Sequence, residues 1–246
     1  MSEPGYRHIN VDHSEWITRA ELNRPETRNA IHFGVMEDLE RLLDRLEQDE
    51  ACRLFVFTGT GKSFVSGGDL RDFHQLKTAD DAKKMTTRMI SILDRIEQLP
   101  FWTLAAINGH AFGGGWEMAL AFDFRIAAEP ASIGFTQGMF YLPPGWDGFR
   151  RLPAAVGRAQ ARYLLASQAV LTATEAKSVG YLQEVVPEAE WTARCEALAN
   201  TLTMNDRSFI SFLKQGGNDD SVEPFGRFWE SDEHFSRVDD FLRKKP

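Results

Sequence analysis

The sequence predicts an α/β fold, and three observations predict it. Short apolar runs alternate with segments of helical period along most of the chain, the pattern of strands interleaved with helices. Two strand-like runs, LFVFTGT (54–60) and TLAAINGHAF (103–112), end in turn residues, as buried strands do. After VVP (185–187) the strand signals fade, leaving only helical patterns to the end of the chain.

Taken in order, Leu39, Leu42 and Leu43 keep helical spacing between Val35 and Leu46, with acids and arginines on the opposite face. The strand at 54–60 follows. FVSGGDLRDF (64–73) reads as strand, glycine turn, then helix. Met85, Met89, Ile92, Leu93 and Ile96 repeat the helical period, and the 103–112 strand runs into GHAFGGGWEMAL, a second strand, glycine turn and helix, here over Gly113–Phe122. RAQARYLLAS (158–167) is a further helix. Thr172 and Glu175 match a capping box, with Gly180 placed to stop the short helix they open. Residues 188–203 and 221–244 are expected to be helical. The division is therefore a core over 1–187 and a helical C-terminal region over 188–246. No internal repeat and no low-complexity segment is visible.

Composition narrows the function. The 246 residues suffice for one large domain with its own core. A formal net charge of -8 with no dense basic block disfavours nucleic acid as a partner. No stretch approaches the roughly 20 apolar residues of a membrane span, and no signal peptide is visible, so a soluble cytoplasmic protein is expected. Cys52 and Cys195 suggest no disulfide framework. TGTGKSF (58–64) fails as a P-loop because Val56 stands where the first glycine belongs. GxGxxG and GxSxG are absent, and the six histidines lack HExxH spacing. His74 and His110 read as structural. No metal or dinucleotide site is expected.

The glycine turns remain. Bare backbone at Gly113, Gly114 and Gly115 either permits a tight strand-to-helix junction or lets a ligand oxygen approach unpaired N–H groups at the helix start. The second use is that of an oxyanion hole, where one donor contributes about 3 kcal/mol of transition-state stabilisation. A second glycine turn at Gly67–Gly68 favours it, since two turns supply two donors.

Several stretches together resemble the crotonase (enoyl-CoA hydratase/isomerase) superfamily: LNRPETRNAI (22–31), FTGTGKSFVSGGDLRDF (57–73), INGHAFGGGWEMALAFDFRIAAE (107–129), IGFTQGMFYLPPGWDGFRRLPAAVG (133–157), TATEAKSVGYLQEVVP (172–187) and FWESDEHFSRVDDFLRKKP (228–246). They occur in family order over nearly the whole chain. The resemblance implies a ββα spiral with C-terminal helices that trimerise, as a homotrimer or a hexamer built as a dimer of trimers. It implies an acyl-CoA substrate and no cofactor beyond the coenzyme A within that substrate. It also implies that a thioester enolate is stabilised by the N–H groups of Gly68 and Gly114. Arg24, Arg28, Lys62 and Arg71 lie near the matching motifs and are candidates to meet the phosphates. Backbone of Ser66 and Leu70 is expected along the pantetheine groove.

Glu117 matches the first of the two glutamates with which family hydratases hold water. At the second position stands Gln137, an amide that cannot act as general acid or base. Asp147, where the family usually has glycine, either replaces the missing acid or caps a turn. Tyr141 is a second candidate proton donor. Trp116, Phe135, Met139, Phe140 and Trp146 are expected to make a bulky apolar acyl pocket or to belong to the core. The PGWDG turn resembles the PxWGG turn of ethylmalonyl-CoA decarboxylase-like members, in which expulsion of CO2 makes the enolate and Glu117 would supply a proton. Hydratase/isomerase chemistry, decarboxylation of a malonyl-type CoA ester, and a non-catalytic CoA-ester-binding role thus stand side by side.

Overall fold

The structure, a computed structural model, describes residues 5–216 and 222–243. Residues 217–221 and 244–246 of the expected C-terminal region lie outside them. The chain opens with the antiparallel pair β1 (Ile9–His13) and β2 (Ile17–Leu22), followed by α1 (Phe33–Gln48). Three turns of a spiral follow, each giving one strand to each of two sheets before a helix returns the chain. The first is β3 (Leu54–Gly59), β4 (Ser63–Val65), α2 (Leu70–Phe73) and α3 (Ala79–Gln98). The second is β5 (Trp102–Ile107), β6 (His110–Phe112) and α4 (Gly114–Ala119). The third is β7 (Phe124–Ala128), β8 (Ser132–Gly134), α5 (Gly148–Val156) and α6 (Arg158–Ser167). Then come β9 (Val170–Thr172), α7 (Ala173–Ser178) and β10 (Glu184–Val186), and the helices α8 (Trp191–Leu202), α9 (Arg207–Gln215), α10 (Val222–Trp229) and α11 (Asp232–Arg243).

One sheet has the order β1-β2-β3-β5-β7-β10 and the other β4-β6-β8-β9. β2, β3, β5, β7 and β10 are parallel neighbours, covered on both faces, which is why β3 reads as a continuous apolar run rather than an alternating one. The repeat of the spiral escaped the sequence because each second-sheet strand of these three turns is only three residues long.

Amphipathic α1 buries Val35, Leu39, Leu42, Leu43 and Leu46 in the main core, and α3 buries Met89, Ile92, Leu93 and Ile96. The Thr172–Glu175 capping box is present, and Gly180 takes φ +84° just after α7. Two expectations shift. The helix expected over Gly113–Phe122 ends at Ala119, where tighter turn bonds take over (Ala121 N–H to the Met118 carbonyl, Phe122 N–H to the Ala119 carbonyl), and Asp123, just before β7, accepts from the Thr103 backbone and hydroxyl. The C-terminal pattern is broken at Ser231, whose hydroxyl accepts from His234 N–H and opens α11. The C-terminal region is also less separate than its composition implied. Ala199, with Trp191, Leu198 and Leu202 of α8, packs on the outer face of the large sheet, and Lys214 of α9 pairs with Asp123 at 2.7 Å.

Candidate active site

The site forms where the two glycine turns meet. Ile31 N–H donates to the Gly67 carbonyl and Asp69 N–H donates to the Ile31 carbonyl, both at 2.8 Å. The peptide groups around Gly68 are thereby fixed, while the Gly68 N–H has no partner among the described residues. Across from it, Gly113 N–H donates to the Gly134 carbonyl at 3.0 Å. Gly114 is the first residue of α4, and its N–H lacks an intrahelical partner by position. The turns touch: a Cβ on Gly67 would lie 3.3 Å from Gly114 N.

The glycines of the triplet are bare for three different reasons. Gly113 takes φ +54° and has space around it. At Gly114 a Cβ would fall 2.1 Å from the Trp146 indole, and at Gly115 it would fall 1.9 Å from the Val65 carbonyl. The second position therefore makes room for a side chain and the third for the backbone of β4.

Glu117 is buried at the far side of the same turn. Its Oε1 accepts from Gln137 Nε2 at 2.8 Å and Gly145 N–H at 3.1 Å; its Oε2 accepts from Trp146 and Gly148 N–H, each at 2.8 Å. Burial pushes this carboxyl above the usual carboxylate range, and the four N–H donors pull against it. Gln137 is held in turn, its Oε1 accepting from Trp116 Nε1–H at 2.9 Å. Arg151 donates to the Trp146 carbonyl at 3.1 Å and is anchored on α3 by Asp94 at 2.6 Å and Glu97 at 3.1 Å.

Gly68, Gly114, Glu117, Gln137 and Trp146 are thus brought together. Other expected site residues are placed elsewhere. Trp116 and Phe135 pack at 4.9 Å with their rings tilted by 42° inside the core, and Tyr181 meets Phe135 edge-on, so they back the site and do not line it. Tyr141 is 98% exposed with φ +56°, so neither a pocket wall nor an enclosed proton donor stands there. Asp147 occupies the left-handed region at φ +68°, a natural place for the family's glycine, and its carboxylate pairs with Arg150 at 2.5 Å without capping α5. Arg24 is committed to the Ala30 carbonyl and to Asp69, tethering the opening loop to the first glycine turn instead of facing a phosphate. Arg28, Lys62, Leu70 and Arg71 are exposed. Ser66 has its N–H and hydroxyl on the Arg28 and Thr27 carbonyls. Sequence reasoning missed Arg151 and Tyr181; the latter donates from its hydroxyl to the Trp116 carbonyl at 2.8 Å. An arginine in a helix led by the PGWDG turn was the available signal for the former.

No group of three or more His, Cys, Asp or Glu among the described residues is placed to hold a metal ion. No helix among them is long and apolar enough to cross a membrane.

A family model described as Enoyl-CoA hydratase/isomerase matches residues 12–225. The chain belongs to the enoyl-CoA hydratase/isomerase family. It is 31% identical over 215 residues to the crotonyl-CoA hydratase of Syntrophomonas wolfei, covering 87% of this chain and 82% of that one. It is 36% identical over 190 residues to the enoyl-CoA isomerase/hydratase fer4 of Mycosarcoma maydis, covering 74% and 69%. Among solved structures, an enoyl-CoA hydratase from Bacillus anthracis matches with TM-score 0.82 at 31% identity, covering 85% of this chain and 81% of that one. DspI of Pseudomonas aeruginosa matches with TM-score 0.87 at 26% identity, covering 99% and 97%. The crotonase fold expected from the sequence is the fold of this family member.

Proposed function

We propose that this enoyl-CoA hydratase/isomerase family member acts on acyl-CoA thioesters by holding the thioester oxygen between the N–H groups of Gly68 and Gly114. The observation that carries the reading is the meeting of two unpartnered backbone donors on touching glycine turns. Negative charge developing on the oxygen of an enolate is stabilised there by donors already in place, with no reorganisation at the moment of reaction. In an enoyl substrate, polarising the thioester carbonyl draws electrons from the double bond, so that a water oxygen adds at Cβ and a proton adds at Cα.

A second reading is favoured by Glu117 and Gln137. Hydration by a glutamate pair needs two carboxyl groups that exchange protons. Here one is an amide and the other is enclosed by four donors. Decarboxylation of a malonyl-type CoA ester places a lighter demand. The bond between Cα and the carboxylate breaks, its electron pair enters the enolate, CO2 leaves, and Cα then takes a proton.

The substrate brings the coenzyme A and the reading calls for no further cofactor. Assembly as a homotrimer, or a hexamer of two trimers, is part of the proposal. It is supported by α10 and α11, which contain no residue buried within the single chain and expose Phe225, Trp229, Phe235 and Leu242.

The test is to incubate the protein with crotonyl-, methylmalonyl- and ethylmalonyl-CoA and follow the masses of the products. Gain of water on crotonyl-CoA supports the first reading, and loss of CO2 from a malonyl-type ester supports the second. Binding without turnover of any ester would refute both and leave a CoA-ester-binding protein.

A further inference from the structure

We infer that Glu117 and Arg151 are positioning residues that grip the peptide groups on either side of the Trp146 side chain and seat its indole on the donor glycines, and that Glu117 transfers no proton. The inference rests on the oxyanion reading of Gly68 and Gly114.

A carboxylate offers about four lone-pair sites, and all four around Glu117 are filled by N–H donors. A proton on either oxygen would point at another N–H. The orientation of Gln137 is settled by its neighbours. With Oε1 on the Trp116 indole N–H, its amide nitrogen must face Glu117; turned over, it would set oxygen against oxygen and N–H against N–H. The shell is therefore all-donor, complementary to a fixed anion and unsuited to a group that gains and loses a proton.

Three of those donors are the backbone of one turn. Gly145, Trp146 and Gly148 wrap the carboxylate, so Glu117 sets the path of the turn from which the indole projects. From the other side Arg151, buried and tied to Asp94 and Glu97, takes the Trp146 carbonyl. Both peptide groups of Trp146 are thus held by buried charge. The result is seen at the glycines: Trp146 ring carbons lie 2.1 to 2.5 Å from where a Cβ of Gly114 would be, and 3.8 Å from that of Gly68. A buried indole pressed on both donor turns keeps water from their flank, which strengthens donor–oxyanion attraction in a low-dielectric site.

Acetoacetyl-CoA is the probe, because its acidic Cα–H bond gives up its proton to the buffer at equilibrium, leaving the electron pair in an enolate that carries an ultraviolet band and that an oxyanion hole stabilises. Wild type should show the band. Glu117→Gln forces an amide NH2 against two N–H donors and should weaken enolate formation about 10- to 100-fold, the scale of an ångström-level misplacement. Trp146→Leu should do the same. The double variant should be little worse than either, since both losses act through one seat. Arg151→Lys, which keeps its charge and lies outside the donor turns, should lower the band in a folded protein even where Glu117→Gln folds poorly. A full band in Glu117→Gln with turnover lost would assign Glu117 to proton transfer and overturn the inference. Multiplying losses in the double variant, or a wild-type band in Arg151→Lys, would also overturn it. No band in wild type would refute the oxyanion reading, and this inference with it.

Discussion

Adding one methyl group at Gly114 tests the site most sharply, because it leaves the proposed donor N–H in place. The Cβ of Gly114→Ala would lie 2.1, 2.4 and 2.5 Å from three carbons of the Trp146 indole. Ordinary contact begins at 3.4 Å, so the ring must retreat by about 1.3 Å. It has little freedom to do so, since Glu117 holds the peptide N–H and Arg151 the carbonyl. Overpacking of this kind costs about 1–3 kcal/mol, and loosening a hydrogen bond to a charged group adds about 1.5–3 kcal/mol. Denaturant unfolding should therefore show a loss of about 2.5–6 kcal/mol. With the indole displaced from the donors, kcat/KM on whichever CoA ester the product-mass assay shows to turn over should fall about 100-fold. Gly113→Ala is the control: its Cβ meets nothing nearer than 3.8 Å, so only the backbone at φ +54°, ψ -123° is penalised, by about 1–3 kcal/mol. Adding Trp146→Leu to Gly114→Ala should recover stability relative to Gly114→Ala alone. Wild-type stability and turnover in Gly114→Ala, or no recovery in the double variant, would show that the indole does not rest on the donor turn.

Gln137→Glu places a carboxylate oxygen near the 2.8 Å contact with Glu117, so the new carboxyl's folded pKa rises. Its stability relative to wild type should then hold below the unfolded carboxyl value and fall as pH rises through the raised one, seen by comparing denaturation at about pH 4 and 8. Thr172→Ala removes the cap accepting Glu175 N–H and should lower stability by about 0.5–2 kcal/mol by denaturant titration. The Thr172 donors hold the Glu175 carboxyl below its usual range, so that part of the capping box is present above the unfolded value and lost as pH falls through the folded one. Asp147→Asn should leave steady-state turnover at the wild-type level, because that carboxylate faces Arg150 and Arg151; a large loss would return it to the chemistry. Lys214→Ala leaves Asp123 with one cation fewer in a largely buried pair and should lower the thermal midpoint, by up to about 3 kcal/mol of stability.

Helical period and apolar runs were legible because they record burial, and burial decides these elements: the α6 helix at 158–167 and the strand around 54–60 stand where the pattern put them, whereas the single strand read over 103–112 is divided into β5 (Trp102–Ile107) and β6 (His110–Phe112), which enter different sheets. The glycine turns were legible as turns. What each glycine was for was not, because Gly114 and Gly115 are bare on account of Trp146 and the Val65 carbonyl, partners 32 and 50 residues away in sequence. Gln137 could be read as an amide but not as the link between Trp116 and Glu117. Arginines behaved worst: Arg24 has no local signature that separates a buried tether from a surface charge, the place of Arg151 in the helix after the PGWDG turn was only a weak one, and the fold alone assigns their partners.

Gln137 does more than remove an acid. Two carboxyl groups at 2.8 Å cannot both ionise, so a glutamate pair there would share a proton and be poised to pass it on. An amide in the second place supplies an N–H instead and completes a shell of four donors. Burying an ion costs several kcal/mol, and four charge-assisted hydrogen bonds at about 1.5–3 kcal/mol each are enough to offset it. The exchange of one oxygen for one NH2 thus replaces a proton-sharing dyad with a single carboxyl whose four N–H donors oppose the upward push of burial and which organises backbone. On the proposed reading such a site still stabilises an enolate, since that task falls to the N–H groups of Gly68 and Gly114. It gives up, on the same reading, the step that needs a carboxyl to change its charge, and loss of CO2 from a malonyl-type ester, which makes the enolate without a base, is the alternative that the product-mass assay separates from hydration.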